Sequence, residues 1–228
     1  MNQQIKKEAE WLYLLLIGIF IAALVSSNLI FKKFFHWNPF GWYNFEISVG
    51  ILPYPVTFLV TDIISEVYGY KKANQAVKVG LIASVFMMLV VTVATLVPAT
   101  KWSPVNDLEF VKVFGLTGLA VTASMVAYLV AQFVDIKVFH FWKRKTNGKH
   151  LWLRNNFSTI TSQFIDTAIV LLLLCLFKEI PWDKFLLLLI NGFLFKVIVA
   201  LLDTPLFYAS SFYLKKRFNL KQHEEVSF

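Results

Sequence analysis

The stretch Val79-Gly-Leu-Ile-Ala-Ser-Val-Phe-Met-Met-Leu-Val-Val-Thr-Val-Ala-Thr-Leu-Val-Pro-Ala-Thr100 decides the fold. It is 22 residues long, carries no charge, and lies between Lys78 and Lys101. A bilayer core about 30 Å thick needs roughly 20 apolar residues of helix, so this stretch reads as a membrane span. The rest of the chain agrees with it. Of 228 residues, 57% are hydrophobic and 16% charged, against about 25% charged in ordinary soluble domains. The mean hydropathy is +0.62. A disordered chain would be polar, and a soluble domain this apolar could not cover its own surface.

Working outward from Val79–Thr100, similar runs appear on both sides. Six spans are predicted, at about 11–31, 47–70, 79–100, 113–135, 155–177 and 185–214. The expected fold class is an all-α polytopic membrane protein, one integral membrane domain over 1–228. The second span is the least apolar. It carries Pro53, Pro55, Asp62 and Glu66, and its prolines should kink or delay the helix.

The net charge of +8 is a topological label before it is anything else. With six spans, Lys6, Lys7, Lys71, Lys72, Lys78 and the basic residues of 137–154 and 215–221 fall on one side, fifteen in all. Lys32, Lys33, Lys101, Lys112, Lys178 and Lys184 fall on the other. That bias places both termini in the cytoplasm and gives no reason to expect nucleic acid as a partner. Trp11, Trp37, Trp42, Trp102, Trp142, Trp152 and Trp182 all lie near expected span ends, as an aromatic belt requires. The first run is longer than a signal-peptide core, and Ser26-Ser27-Asn28 is a poor cleavage site, so it reads as a span. The single Cys175 excludes an intrachain disulfide. No P-loop, HExxH or nucleophile elbow is present, and His36, His140 and His150 read as structural. No cofactor, metal or catalytic residue is expected, and the chain reads as a non-enzyme.

The acids inside the spans carry the functional signal, since each costs about 2.5–3.5 kcal/mol to insert. Asp62 and Glu66 are four apart and share a helix face. Gln132-Phe-Val-Asp135 and Gln163-Phe-Ile-Asp166 form a small repeat. Lys196 and Asp203 lie two turns apart on the sixth span. Asp166 and Lys196 should be deep, Asp62 and Glu66 in the inner half, and Asp135 near the inner end of its helix. The bland alternative pairs Lys196 with Asp166 or Asp203 and lets Asp135 reach interfacial water. One lysine cannot neutralise five acids, which favours a water- or ligand-filled cavity. Asn28, Asp62, Glu66, Gln132, Gln163 and Asp166 are therefore the candidate substrate-binding residues. Lys196, Asp135 and Asp203 are candidates for charge balance or coupling. Carboxylates and side-chain amides suit a planar heterocycle with amino and imino donors. Tyr54, Phe58, Tyr68, Phe157 and Phe164 are available to stack on it.

The stretch Pro55-Val-Thr-Phe-Leu-Val-Thr-Asp-Ile-Ile-Ser-Glu-Val-Tyr-Gly69 resembles the Thr-Asp-x-x-x-Glu-x-Tyr-Gly signature of the queuosine precursor transporter family, formerly the putative vitamin uptake transporter family. Ser27-Asn28, Gln132–Asp135, Arg154-Asn-Asn-Phe-Ser158, Ser162–Thr167, Phe195-Lys196 and Thr204-Pro205 follow in matching order. The resemblance implies inner-membrane uptake of a 7-deazaguanine precursor of queuosine: the 7-cyano compound, the 7-aminomethyl compound or queuine. It also implies a fold similar to the substrate-binding components of energy-coupling-factor importers. Two other functions compete. One is a substrate-capture subunit that borrows an ATP-driven energy-coupling module; a homo-oligomer is the other assembly left open. The second is an intramembrane enzyme using Asp62 and Glu66 as general acid and base. A proton gradient acting through Glu66 or Asp166 and facilitated diffusion are both compatible with the chain.

Overall fold

The computed structural model describes residues 3–38, 41, 44–115, 118–147, 149–178, 180–221 and 224–226, with side chains in the fourth long helix from Met125 onward. Among the described residues seven helices follow one another: α1 (Gln3–Ile30), α2 (Tyr54–Val67), α3 (Gly69–Leu96), α4 (Asp107–Phe114), α5 (Gly118–Lys145), α6 (Leu151–Leu176) and α7 (Trp182–Arg217). Six segments are long and apolar enough to cross a membrane: Gln3–Ile30, Val49–Val67, Gly69–Leu96, Met125–Lys145, Leu151–Leu176 and Trp182–Arg217. The protein is thus an all-α polytopic membrane protein. On α3, Ile82, Phe86, Leu89, Val93 and Leu96 all stand exposed. Such a stripe is intolerable in water and ordinary in lipid.

Each expected span overlaps one of these segments, with shifted ends. The fourth is the largest shift. The sequence places Asp135 at the end of its helix near the interface, but α5 continues ten residues further to Lys145. A carboxylate ends a span only if it needs water, and Asp135 is fully buried among protein. Val113 and Phe114, expected in that span, belong instead to the short α4. Asn106 and Glu109 start α4 with a capping box: Glu109 N–H donates to Asn106 Oδ1 at 2.9 Å, and Asn106 N–H donates to Glu109 Oε2 at 3.1 Å. Residues 116 and 117 of that span, and Trp42 of the aromatic belt, lie outside the described residues.

Between α1 and α2 the chain forms a small antiparallel hairpin, β1 (Phe34–Trp37) and β2 (Phe45–Ser48), with Phe34 opposite Ser48 and Trp37 opposite Phe45. A 3-10 turn at Val49–Ile51 follows. It packs on the end of α1, where the Ser27 hydroxyl donates to the Gly50 carbonyl. The two prolines do delay the second helix: Pro53 stands at the N-cap and Pro55 in the first turn. What remains of α2 is 14 residues, about 21 Å of helix. Ten of them are buried, from Thr57 to Val67. This least apolar span is the one enclosed by the others, which is why it tolerates Thr, Asp and Glu.

The starts of α1, α3 and α6 and the ends of α2, α5 and α7 meet at one end of the bundle. Arg217 donates to Glu8 at 2.8 Å and 3.1 Å. The Tyr68 hydroxyl donates to the Ala9 carbonyl at 3.0 Å, and Tyr13 to the Lys72 carbonyl at 3.0 Å. The hairpin and α4 lie toward the other end. Along α3, Ala76, Gly80 and Ser84 are buried at four-residue intervals. This small-residue row lets α1 approach until the Phe20 ring covers Gly80.

Candidate functional site

A cavity of about 290 Å³ lies on the hairpin side of the bundle. Its walls are apolar: Phe31, Phe34, Met87, Met125, Val170 and Leu171 among others. Its polar lining is concentrated in Asn28, Glu46, Tyr54, Asp166, Thr167 and Lys196. The floor is a tight network. The Tyr54 hydroxyl donates to Asp166 Oδ1 at 3.0 Å, and Lys196 Nζ donates to Asp166 Oδ2 at 2.6 Å. The ammonium also lies 4.9 Å from the centre of the Tyr54 ring. Three helices meet there. Tyr54 opens α2 because the prolines start it at that level, while Asp166 and Lys196 come from mid-helix positions on α6 and α7.

Tyr54 and Lys196 also face a second, much smaller pocket, about 20 Å³, with Asp62, Asn155, Thr159, Gln163 and Asp203. They form the partition between the two spaces. Below the partition the polar groups continue along α2, α5 and α6. The Thr159 hydroxyl donates to Asp62 Oδ2 at 3.2 Å, and Ser162 to Asp135 Oδ1 at 3.0 Å. The Thr61 hydroxyl lies 3.3 Å from Gln132 Oε1.

At the basic end the chain closes on an ion cluster. Glu66 is held by Arg154 at 2.6 Å, Lys215 at 2.5 Å and Lys143 at 3.8 Å, all four side chains buried or nearly so. Lys143 also reaches Glu225 at 2.7 Å, and the Val226 N–H donates to the Val67 carbonyl at 2.9 Å. The terminal segment 224–226 is thereby strapped over the α2–α3 junction. Gly69 makes room for it. Its φ is +83°, and a side chain there would run into the Glu225 carboxylate.

The candidates singled out from sequence therefore divide. Asn28, Asp166 and Lys196 line the large cavity. Asp62, Gln163 and Asp203 line the small pocket. Glu66, Gln132 and Asp135 line neither, so the expectation that Asp62, Glu66, Gln132, Gln163 and Asp166 share one cavity gives way to a layered arrangement. Lys196 pairs with Asp166, one of the two partners foreseen. Asp135 is 0% exposed and does not reach interfacial water. Nor does one lysine serve five acids, because Arg154, Lys143 and Lys215 enter the bundle. By sequence position all three read as loop charges. The signal for Arg154 is on α6: at 100° per residue, it falls on the same arc as Ser158, Ser162 and Asp166, all buried. Of the proposed aromatics, Tyr54 reaches the large cavity and Phe58 the small pocket. Tyr68 packs on Tyr13, whereas Phe157 and Phe164 are largely exposed. Glu46, on β2 at the cavity's edge, has no sequence signal.

Comparison with known proteins agrees with this architecture. The profile of the family described as "Putative vitamin uptake transporter" matches residues 48–210. A protein of Bacillus subtilis (strain 168) named "Probable queuosine precursor transporter" is 28% identical over 74% of this chain and 73% of its own length. One of Escherichia coli (strain K12) named "Queuosine precursor transporter" is 24% identical over 64% of this chain and 61% of its own. No solved structure matches. The chain belongs to the putative vitamin uptake transporter family, as a multi-pass membrane transporter.

Proposed function

We propose that this member of the putative vitamin uptake transporter family carries a 7-deazaguanine precursor of queuosine into the cytoplasm, its six spans acting as one transport domain. The relatives' names support the substrate class. The observation that carries the reading is Asp166 at the floor of the 290 Å³ cavity. That volume is close to the lower end of small-molecule pockets, about 300 Å³. An apolar slot with the Asp166 carboxylate at its floor and Glu46 at its edge suits a flat bicyclic base. The carboxylate accepts two parallel hydrogen bonds from the 2-amino-pyrimidinone edge, and the Tyr54 hydroxyl gives up its place on Asp166 Oδ1 to the substrate. Lys196 stays on Asp166 and holds the carboxylate in place through the exchange. Asn28, which lines the cavity from α1, reads the other edge of the ring in this proposal.

The ion cluster at Glu66 closes the path at the basic end, which the charge bias assigns to the cytoplasm. With that end closed, substrate has access from the hairpin side. Release then requires the Glu66 cluster and the strap at 224–226 to part.

The test uses bacterial cells unable to make the precursors and lacking their own transporter. The chain should restore queuosine in tRNA when 7-cyano-7-deazaguanine, its aminomethyl analogue or queuine is supplied. Asp166→Asn removes a charge-assisted hydrogen bond worth about 1.5–3 kcal/mol, so uptake at equal membrane abundance should fall about tenfold or more. Failure of the wild-type chain with all three compounds overturns the reading. Undiminished uptake by Asp166→Asn overturns the site.

A further inference from the structure

Of the five acids within the bundle, two have ionic partners. Both oxygens of Asp166 are engaged, one by Tyr54 and one by Lys196. Glu66 is surrounded by three cations. Asp62 and Asp135 are different. They approach each other from α2 and α5 against neighbouring turns of α6, where residues 159 and 162 hold them, at 2% and 0% exposure. Each uses one oxygen to accept from a hydroxyl, Thr159 or Ser162. The other oxygens, Asp62 Oδ1 and Asp135 Oδ2, make no hydrogen bond to a donor among the described residues; Ser158 stands near Asp135, but its hydroxyl donates to the Asn155 carbonyl at 3.0 Å. Two ionised carboxylates can only accept, so such a contact is repulsive unless a proton lies between them. The cation on this side of α6 is Arg154, whose charge reaches Asp62 but whose ion pair, at 2.6 Å, is with Glu66.

We propose that Asp62 and Asp135 share one exchangeable proton, and that this pair couples substrate movement to proton movement. The proposal rests on the transport reading above and places the coupling site away from Glu66 and Asp166. The surroundings suit the role. Asp62 borders the 20 Å³ pocket beneath the Tyr54–Lys196 partition, about the size of one water molecule. Asp203 and Lys196 face the same pocket from α7. From α6 the buried charged groups are Arg154 and Asp166, and α5 brings Tyr128 near Asp166 and, further toward the basic end, His140 and Lys143. Along α2 itself Tyr54 and Glu66 flank the pair. Among the described residues of α1 and α3 the only ionisable side chain buried is Tyr13. The pair thus has a water-sized step toward the substrate cavity and an ion cluster below it. When substrate displaces the Tyr54 hydroxyl, the partition rearranges and the carboxyl pair gains access to the other side.

The experiment measures accumulation of radiolabelled 7-cyano-7-deazaguanine, or the aminomethyl compound if the first does not enter, in proteoliposomes of the full chain. An acid-outside gradient should concentrate the compound inside by up to about tenfold per pH unit for one proton per substrate. A protonophore should abolish the excess but not the uptake. Asp135→Asn keeps the packing, since its amide can donate to Asp62, but has no proton to exchange. It should equilibrate substrate without concentrating it. Asp62→Asn serves as the second variant should the first misfold, and Asp135→Glu should restore accumulation. Uptake that ignores the gradient in the wild-type chain overturns the proposal and leaves the transport reading standing. So does gradient-driven accumulation by a folded Asp135→Asn or Asp62→Asn chain. Absence of any uptake overturns both.

Discussion

Glu66 on α2 joins Arg154 on α6, Lys215 on α7 and Lys143 on α5, so one carboxylate ties together four helices. Its removal takes the ion-pair partner from buried Arg154 and Lys215, while Lys143 keeps Glu225. Glu66→Gln should therefore cost about 3–5 kcal/mol, visible as a marked drop in the melting temperature of the purified protein in detergent; an unchanged melting point would show that the cluster is not a structural tie. Glu225 makes a useful contrast. It is 39% exposed and touches only the edge of the cluster through Lys143. Glu225→Ala should cost under about 1 kcal/mol by the same measurement. At this scale the sequence is half legible. Asp62, Gln163, Asp166 and Lys196 stand out because an ionisable or amide group in an apolar run is costly. Arg154 and Lys215 do not, because a basic residue near a span end has an ordinary topological explanation. Only the start of α6 at Leu151, one turn before the expected one, turns Arg154 inward.

The packing of whole helices shows a similar split. Long uncharged runs make the spans readable, and prolines at 53 and 55 mark where α2 begins. The hairpin is not readable, since its four-residue strands are too short to show an alternating pattern. The α5 boundary fails for a different reason: charge marks an interface only where a helix faces lipid, and Asp135 faces α6. The α1–α3 contact offers a direct check on the small-residue row. Gly80→Val would force the Phe20 ring and Leu24 out of their positions. A loss of about 1–3 kcal/mol is expected from such overpacking, read as a lower melting temperature and less folded protein in the membrane. Gly18, which faces open space, is the control; Gly18→Ala should leave stability unchanged or slightly raised, as an alanine favours helix.

For the molecule as a whole, the basic end gathers fifteen of the 22 lysines and arginines, and the positive-inside rule leads us to expect that end in the cytoplasm. Cysteine labelling tests this in intact cells, after Cys175→Ala removes the native thiol. Lys112→Cys, near the hairpin end, should react with a membrane-impermeant maleimide added outside. Lys71→Cys, at the start of α3, should react only after the membrane is opened. The reverse pattern would invert the proposed direction of transport. The strap at Glu225 and Val226 has a practical bearing on all of these measurements. It threads the chain's last described residues between Gly69 and Lys143, where Val226 is buried. On the proposed transport cycle, a purification handle or fluorescent fusion attached on that side would load the strap and favour the form in which the Glu66 cluster has parted. A handle placed ahead of Gln3 leaves the closure alone, so the choice of tag position is itself a lever on the conformational equilibrium.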